Sequence, residues 1–460
     1  MRITCIVAVL VHFFLITHAL LPVKDFRVKG LANEIQGVKS RAVVNSWSEQ
    51  VLSYSPDVVF TSLNNTQVLY TDDTNSIYYI YLILDDGHGY KQRFPLLLDT
   101  GSAVSWIYNQ SCTSNSCQNN NVTKFNYNGN LKLGSTFSIT YTNDQVDGTY
   151  ISIAENNINM QLGRVTSDFK VQDFSLGLTS DSPSIFNGFS VSGILGITTD
   201  SSDENIVSQM YDSGLINKKV FGLYLTNPGQ IYRGNVPAKE LGGVVLFGQD
   251  VADNTKKFIG SNTVNYVDVV DNNNNYWLIN ISDTSVVSSQ GESSNVISDS
   301  RLTIIDSGTT GIVFPFDDAV AIHKQLFGDT GYLNDQNGNF AFLCNYTNEN
   351  IVFNVGGTKL SVSSSNFKGQ AYTDPSLFGY CASKIQGLNN YGHWVLGQAF
   401  LKSFYTVFDL DANQIGFGQA SLQSFGIEFG NESSSSASSS VLSTTCVETS
   451  TKSVLTTITH

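Results

Sequence analysis

Leu96-Leu97-Leu98-Asp99-Thr100-Gly101-Ser102 has a second copy in this chain, Thr303-Ile304-Ile305-Asp306-Ser307-Gly308-Thr309-Thr310, with the two aspartates 207 residues apart. Each copy is an apolar run, then Asp, a hydroxyl residue, Gly and another hydroxyl residue. At this composition a lone Asp-[Ser/Thr]-Gly-[Ser/Thr] is expected about 0.1 times by chance. Asx-type turns closing two strands are the alternative reading. Two copies, each behind the pattern of a buried strand, point instead to a duplicated unit. A strand ending in Asp delivers one carboxylate to a fixed point. Gly allows a tight turn and lets its own N–H approach that carboxylate. The hydroxyls can hydrogen-bond the carboxylates or the neighbouring backbone. Two such half-sites, one from each of two similar domains, would bring Asp99 and Asp306 together, and carboxylates about 3 Å apart cannot both ionise readily.

Around the two motifs the chain reads as mostly β from about residue 76 to 422. Runs at 77–84, 137–141 and 244–247 are rich in Ile, Val, Tyr and Phe, and Gly, Asn and Asp clusters separate them. Helix signals are few, the best at 204–213 and at 317–327, the latter behind Pro315 and opening with two acids. The expected division is an N-terminal lobe at 66–245 and a C-terminal lobe at 246–422. A length of 460 residues is ample for two such lobes.

The ends of the chain read differently. Arg2 precedes an apolar run at 6–16, and small residues at Thr17 and Ala19 fit export-signal cleavage, giving a signal at 1–19. That run is too short to span a bilayer, which needs about 20 apolar residues, and no longer one follows. Residues 20–65 carry no clear strand pattern but hold Lys24, Arg27, Lys29, Lys39 and Arg41, and they read as a basic propeptide that could cover an acidic cleft. From 431 to 460, Ser and Thr make up 17 of 30 residues. Such a stretch cannot bury a core, so residues 423–460 are expected to be an extended, O-glycosylated tail.

The whole chain carries 39 acidic against 25 basic residues, a net charge of −14, which argues against a nucleic-acid partner. Of six cysteines, Cys5 leaves with the signal and Cys446 falls in the tail. Cys112, Cys117, Cys344 and Cys381 have separations that suit disulfides within a domain in an oxidising compartment. Zinc is the competing reading, but no His lies near them at ligand spacing. Glycosylation triplets start at Asn64, Asn109, Asn121, Asn280, Asn345 and Asn431.

Over residues 78–420 the sequence resembles the pepsin-like aspartic proteases, most of all the fungal secreted members of candidapepsin, yapsin and barrier-pepsin type. The resemblance implies an all-β, bilobal fold with a cleft between the lobes. It places Asp99 and Asp306 on the catalytic positions, with Thr100, Gly101, Ser102, Ser307, Gly308 and Thr309 in support. Thr100 and Ser307 match the pair whose hydroxyls bond across the lobe junction. Trp106 matches a tryptophan packed on the flap tyrosine, and Tyr141, in Phe137-Ser138-Ile139-Thr140-Tyr141, matches that tyrosine. Ser192-Gly193-Ile194-Leu195-Gly196-Ile197 and Trp394-Val395-Leu396-Gly397 match the elements that back the two aspartates. The family's disulfides correspond to Cys112–Cys117 and Cys344–Cys381.

Three departures stand out. Thr142-Asn143-Asp144 follows Tyr141 where the family usually has glycine, which alters the flap. Gln398 replaces a common aspartate after Gly397, a structural position where no loss of activity is expected. No paired Lys/Arg precedes the body, so activation is either autocatalytic or the work of another protease. The function implied is acid endopeptidase action on peptide or protein substrates, by a monomer with no cofactor and no metal. The dyad's shared proton is carried over from aspartic proteases in general. The competing function is a catalytically silent relative that binds peptides in the cleft. A structural wall glycoprotein would explain only the tail.

Overall fold

The computed structural model describes residues 59–427, apart from 61–64, 73–75, 87–89, 119–121, 128, 142–143, 164–168, 183, 188, 201–204, 228, 234–235, 261, 347–348, 390–391 and 422–424. The expected signal at 1–19, the propeptide as far as residue 58, the tail beyond 427 and Cys446 lie outside the described residues. So do Asn64, Asn121, Asn431, Thr142 and Asn143.

The fold is all-β and bilobal, and its two halves repeat one local plan. In the first half the strand Lys91–Asp99 runs parallel to Gly193–Gly196. That strand is antiparallel to Trp106–Tyr108, which in turn lies parallel to Ser175–Thr179. In the second half Arg301–Ile305 runs parallel to Trp394–Leu396. Trp394–Leu396 is antiparallel to Ile312–Pro315, which lies parallel to Ile385–Leu388. The repeated motif in the sequence is therefore the visible part of a repeated four-strand arrangement.

The unbroken run Leu96-Leu97-Leu98 follows from burial on both faces of the sheet. Leu96 and Leu98 point into the main core. Leu97 points to the other side, among Trp106, Tyr108 and Tyr141. Successive side chains alternate between faces, so a strand covered on both sides has no polar positions. Each buried Leu contributes about 1.5–3 kcal/mol relative to exposure.

The halves are joined by one extended sheet. Val264–Asp268, Gln414–Gln419 and Phe404–Asp409 lead into Val220–Leu225, Leu241–Phe247 and Thr66–Thr71, and from there into the first half. The expected lobe boundary at 245 falls inside the strand Leu241–Phe247, in the middle of this sheet. Trp277 sits at the junction, fully buried, and its indole N–H donates to the Ile197 carbonyl at 2.9 Å. Its ring meets Phe408 at 5.0 Å and Phe221 at 6.2 Å.

Helices form at Ile206–Asp212, where the Asn205 side chain caps the Val207 N–H, and at Phe316–Phe327, with Asp317 and Asp318 in its first turn. The helix Gln249–Ile259 was not anticipated. Its polar stretch through Lys257 hides a short apolar face of Val251, Phe258 and Ile259, buried against Tyr224 and Tyr405. Among the described residues no helix is long and apolar enough to cross a membrane.

Candidate active site

Asp99 ends the strand Lys91–Asp99, level with Gly196 of its parallel neighbour. The Ile197 N–H donates to the Asp99 carbonyl at 2.8 Å, which fixes the backbone where the side chain leaves the strand. Asp306 follows Arg301–Ile305, and its N–H donates to the Leu396 carbonyl at 3.1 Å. A network behind the second strand holds this support in place. Arg301 grips Asp318 through Nε at 2.9 Å and Nη2 at 3.2 Å, and the Trp394 indole N–H donates to the same carboxylate at 2.9 Å.

Each carboxylate meets the same two donors. Asp99 accepts from the Gly101 N–H at 2.9 Å and the Ser102 hydroxyl at 2.6 Å. Asp306 accepts from the Gly308 N–H at 2.7 Å and the Thr309 hydroxyl at 2.6 Å. The two carboxylates lie close enough to act on one another directly. Both motif glycines are needed for this approach. A Cβ on Gly101 would stand 2.7 Å from the Asp306 Cγ, and one on Gly308 would collide with Asp99 Oδ1 while lying 3.1 Å from Asp306 Oδ1.

Thr100 and Ser307 lock the two turns together. The Thr100 hydroxyl donates to the Ile305 carbonyl at 2.9 Å and accepts from the Ser307 N–H at 2.9 Å. The Ser307 hydroxyl donates to the Leu98 carbonyl at 2.7 Å and accepts from the Thr100 N–H at 3.1 Å. Each half thus positions the carboxylate strand of the other. Gln398 supports this lock from below, its side-chain N–H donating to the Ser307 carbonyl at 2.9 Å.

Leu133–Tyr141 and Asp144–Ser152 form an antiparallel hairpin that ends at Tyr141 opposite Asp144. Tyr141 is fully buried, and its hydroxyl accepts from the Trp106 indole N–H at 2.7 Å. The same hydroxyl lies within hydrogen-bonding reach of Ser102. A continuous polar path therefore leads from Trp106 through Tyr141 and Ser102 to Asp99. Phe186 closes the aromatic cluster, 5.6 Å from Trp106 and 5.2 Å from Tyr141. Cys112 is bonded to Cys117, and Cys344 to Cys381, each within one half. Among the described residues no three His, Cys, Asp or Glu side chains gather into a metal-binding set.

Burial pushes Asp99 well above the ordinary carboxylate range, and the neighbouring Asp306 charge adds to it. Burial also raises Asp306, but the Thr309 hydroxyl, Asp99 and the Gly308 and Thr309 amides all work against the rise. A carboxyl raised in the folded state binds its proton more tightly there than in the unfolded chain. Its stabilisation is complete below the unfolded value of about 3.9 and is lost as pH rises through the raised value.

His323 works in the opposite sense. It is buried and stacked on Phe340 at 4.0 Å, and burial lowers it from 6.5 to about 4. Its Nδ1–H donates to the Ala319 carbonyl at 2.7 Å, which leaves Nε2 to accept from the Ser383 hydroxyl at 2.9 Å. Its contribution is present above 6.5 and is lost as pH falls toward about 4. Thermal unfolding across pH is therefore expected to show a stability maximum on the acid side of neutrality. Substituting His323→Phe should flatten the acid limb, which one proton makes as steep as about 1.4 kcal/mol per pH unit. An unchanged acid limb would remove His323 from this account.

A β-rich molecule in two similar halves, each contributing one carboxylate to a shared buried pair, defines the pepsin-like fold class. The sequence model of the family described as eukaryotic aspartyl protease matches residues 88–420, and the chain belongs to that family. It is 26% identical over 351 residues to major aspartyl peptidase 1 of Cryptococcus neoformans, covering 71% of this chain and 66% of that protein. It is 27% identical over 346 residues to the aspartic-type endopeptidase ctsD of Aspergillus fumigatus, covering 72% and 64%. To pepsin A of Bos taurus it is 26% identical over 339 residues, covering 71% and 80%. The chain thus spans just under two thirds of the two fungal relatives.

Sequence reasoning missed Trp277, Asp318 with Arg301, and the contact between the Thr310 hydroxyl and the Ser76 carbonyl at 2.7 Å. Apart from Thr310, these residues position the site from outside the motifs. Their only signals were a lone tryptophan and an acid at the start of a helix.

Proposed function

We propose that this chain is a secreted aspartic endopeptidase that hydrolyses peptide bonds in acid, using a water held between Asp99 and Asp306. The observation that carries the reading is the buried, closely paired carboxylates with matching donors on each side. The two carboxylates share one proton and titrate as a pair. With that proton on Asp99, Asp306 is the ionised member. Asp306 draws a proton from the water as it attacks the peptide carbonyl carbon. Asp99 donates toward the carbonyl oxygen as the tetrahedral centre forms. Collapse of that centre breaks the C–N bond, and the dyad returns a proton to the leaving nitrogen.

Export through the leader at 1–19, latency through the basic segment after it and lobes divided near residue 245 belong to the same proposal. Tyr141 and the hairpin that carries it would cover a bound peptide. The relatives named as endopeptidases support the substrate class.

The test is cleavage of a denatured protein across pH, with and without a peptide that mimics the tetrahedral state. Activity is expected to peak near pH 4, to fade as the second proton leaves the dyad and to be blocked by the mimic. Binding of the mimic without any cleavage would favour the silent, peptide-binding alternative. Maximal turnover at pH 8 would contradict the shared proton.

A further inference from the structure

A small separate sheet joins the two ends of the described chain. Its order is Val59–Phe60, Phe425–Ile427, Ile231–Arg233 and Val236–Pro237. Val59 and Phe60 lie parallel to Gly426 and Ile427. On the other side, Ile231 and Tyr232 lie parallel to Phe425 and Gly426. Ile231 is fully buried among Val68, Tyr224, Leu241 and Val244, so the sheet is seated on the body. Phe425–Ile427 is therefore an inner strand, and it needs neighbours on both sides for its backbone groups. Without Val59–Phe60 it would become an open edge.

A two-residue strand cannot stay in place once cut from the body. Its few ladder bonds are individually weak, and together they fall short of the entropy lost in holding a severed peptide on the body. We propose that the maturation cleavage falls on the N-terminal side of Val59, so that Val59–Phe60 remains in the mature chain as the clasp strand for the segment after Ala420. This moves the end of the propeptide from residue 65, where the sequence pattern puts it, into the stretch before Val59. The inference rests on the reading of the chain as a secreted zymogen.

The sequence narrows the chemistry further. Residues 42–58 contain no Lys or Arg, and the last basic residue before the body is Arg41. A protease selective for basic side chains can therefore act no nearer to the body than the Arg41–Ala42 bond. A cut inside 42–58 must be made by an enzyme that accepts apolar or neutral residues, as an acid protease acting on its own kind would. The step is ordinary hydrolysis: one peptide bond breaks, water gives its hydroxyl to the carbonyl carbon, and its remaining proton goes to the leaving amine.

The experiment is N-terminal sequencing and intact-mass measurement of the full chain after secretion and acid incubation. The expected first residue lies between Ala42 and Val59. A mature form starting at Phe60 or later, or a chain never cut between the signal and Val59, would overturn the proposal. Hydrogen exchange on the same mature protein supplies a second readout. The amides of 425–427 should exchange at least ten-fold more slowly than an unstructured peptide, and exchange at the unstructured rate would also overturn it. Proteolytic activity assayed on that preparation separates the two readings. An inactive protein starting in the expected window refutes the dyad chemistry and leaves the clasp. An active one that starts beyond Phe60 does the reverse.

Discussion

Asp306→Asn is expected to lower turnover by several orders of magnitude while the protein still folds. Asparagine keeps the shape of the side chain: its carbonyl oxygen in the Oδ1 position still accepts from the Gly308 N–H, and its amide nitrogen in the Oδ2 position donates to a Thr309 hydroxyl that turns to accept. It cannot take a proton from water. Asp99→Asn should cost about as much, because the partner would then lack a proton donor. Two groups that act as a unit lose nearly everything with either member, so the double variant should be little worse than each single one. The measurement is turnover of a denatured protein at the acid optimum, with near-ultraviolet circular dichroism to verify folding. A correctly folded Asp306→Asn protein that cleaved at the unmodified rate would refute the mechanism. Removing a buried carboxyl that burial had raised should also weaken the loss of stability toward neutral pH, which provides a check independent of turnover.

The second large effect concerns stability. Trp277→Ala is expected to cost about 3–5 kcal/mol, the range for removing a large buried aromatic. The residue has no exposed surface, and its neighbours Phe221 and Phe408 come from strands of the two halves. Folded domains have only about 5–15 kcal/mol in hand, so the loss would consume much of the total. Trp277→Phe separates the two causes. It refills most of the volume but leaves the Ile197 carbonyl without its donor, a cost of about 1–3 kcal/mol. Urea unfolding midpoints with unchanged slopes would measure both. Equal losses for Ala and Phe would mean that the hydrogen bond, and not the packing, joins the halves.

What could be read from the sequence was whatever repeated or was long. The two Asp-hydroxyl-Gly-hydroxyl turns declared themselves by duplication. The structure brings Asp99, Ser102, Asp306 and Thr309 into one buried cluster, with Thr100 and Ser307 bonded across the junction. The helices near 206–212 and 316–327 had apolar spacing and acids or caps at their starts. The helix Gln249–Ile259 has no side-chain cap, and Val251, Phe258 and Ile259 are too few to set a period. The clasp sheet was invisible for a different reason. Strands of two or three residues have no period to detect, and the partner of Val59 lies at the opposite end of the chain. Trp277 was equally opaque, since a single tryptophan does not announce which carbonyl it will meet.

The ladder between Val220–Leu225 and Phe404–Asp409 bears on how a peptide gets in and out. Five residue pairs, from Val220 with Asp409 to Tyr224 with Tyr405, stitch the halves together inside a continuous sheet. Swinging the halves apart like a hinge would tear that seam, so it serves as a stiff backplate. In the proposed enzyme, traffic would fall to the Leu133–Ser152 hairpin, which joins the sheet only through Asp144–Ser152 and leaves Leu133–Tyr141 as the free edge. Loop-scale motion runs on nanoseconds to microseconds, against microseconds to milliseconds for whole lobes. On the proposed function, the doorway would be light and quick while the frame around the carboxylates stays still, so that admitting a new substrate would leave the alignment of the pair undisturbed.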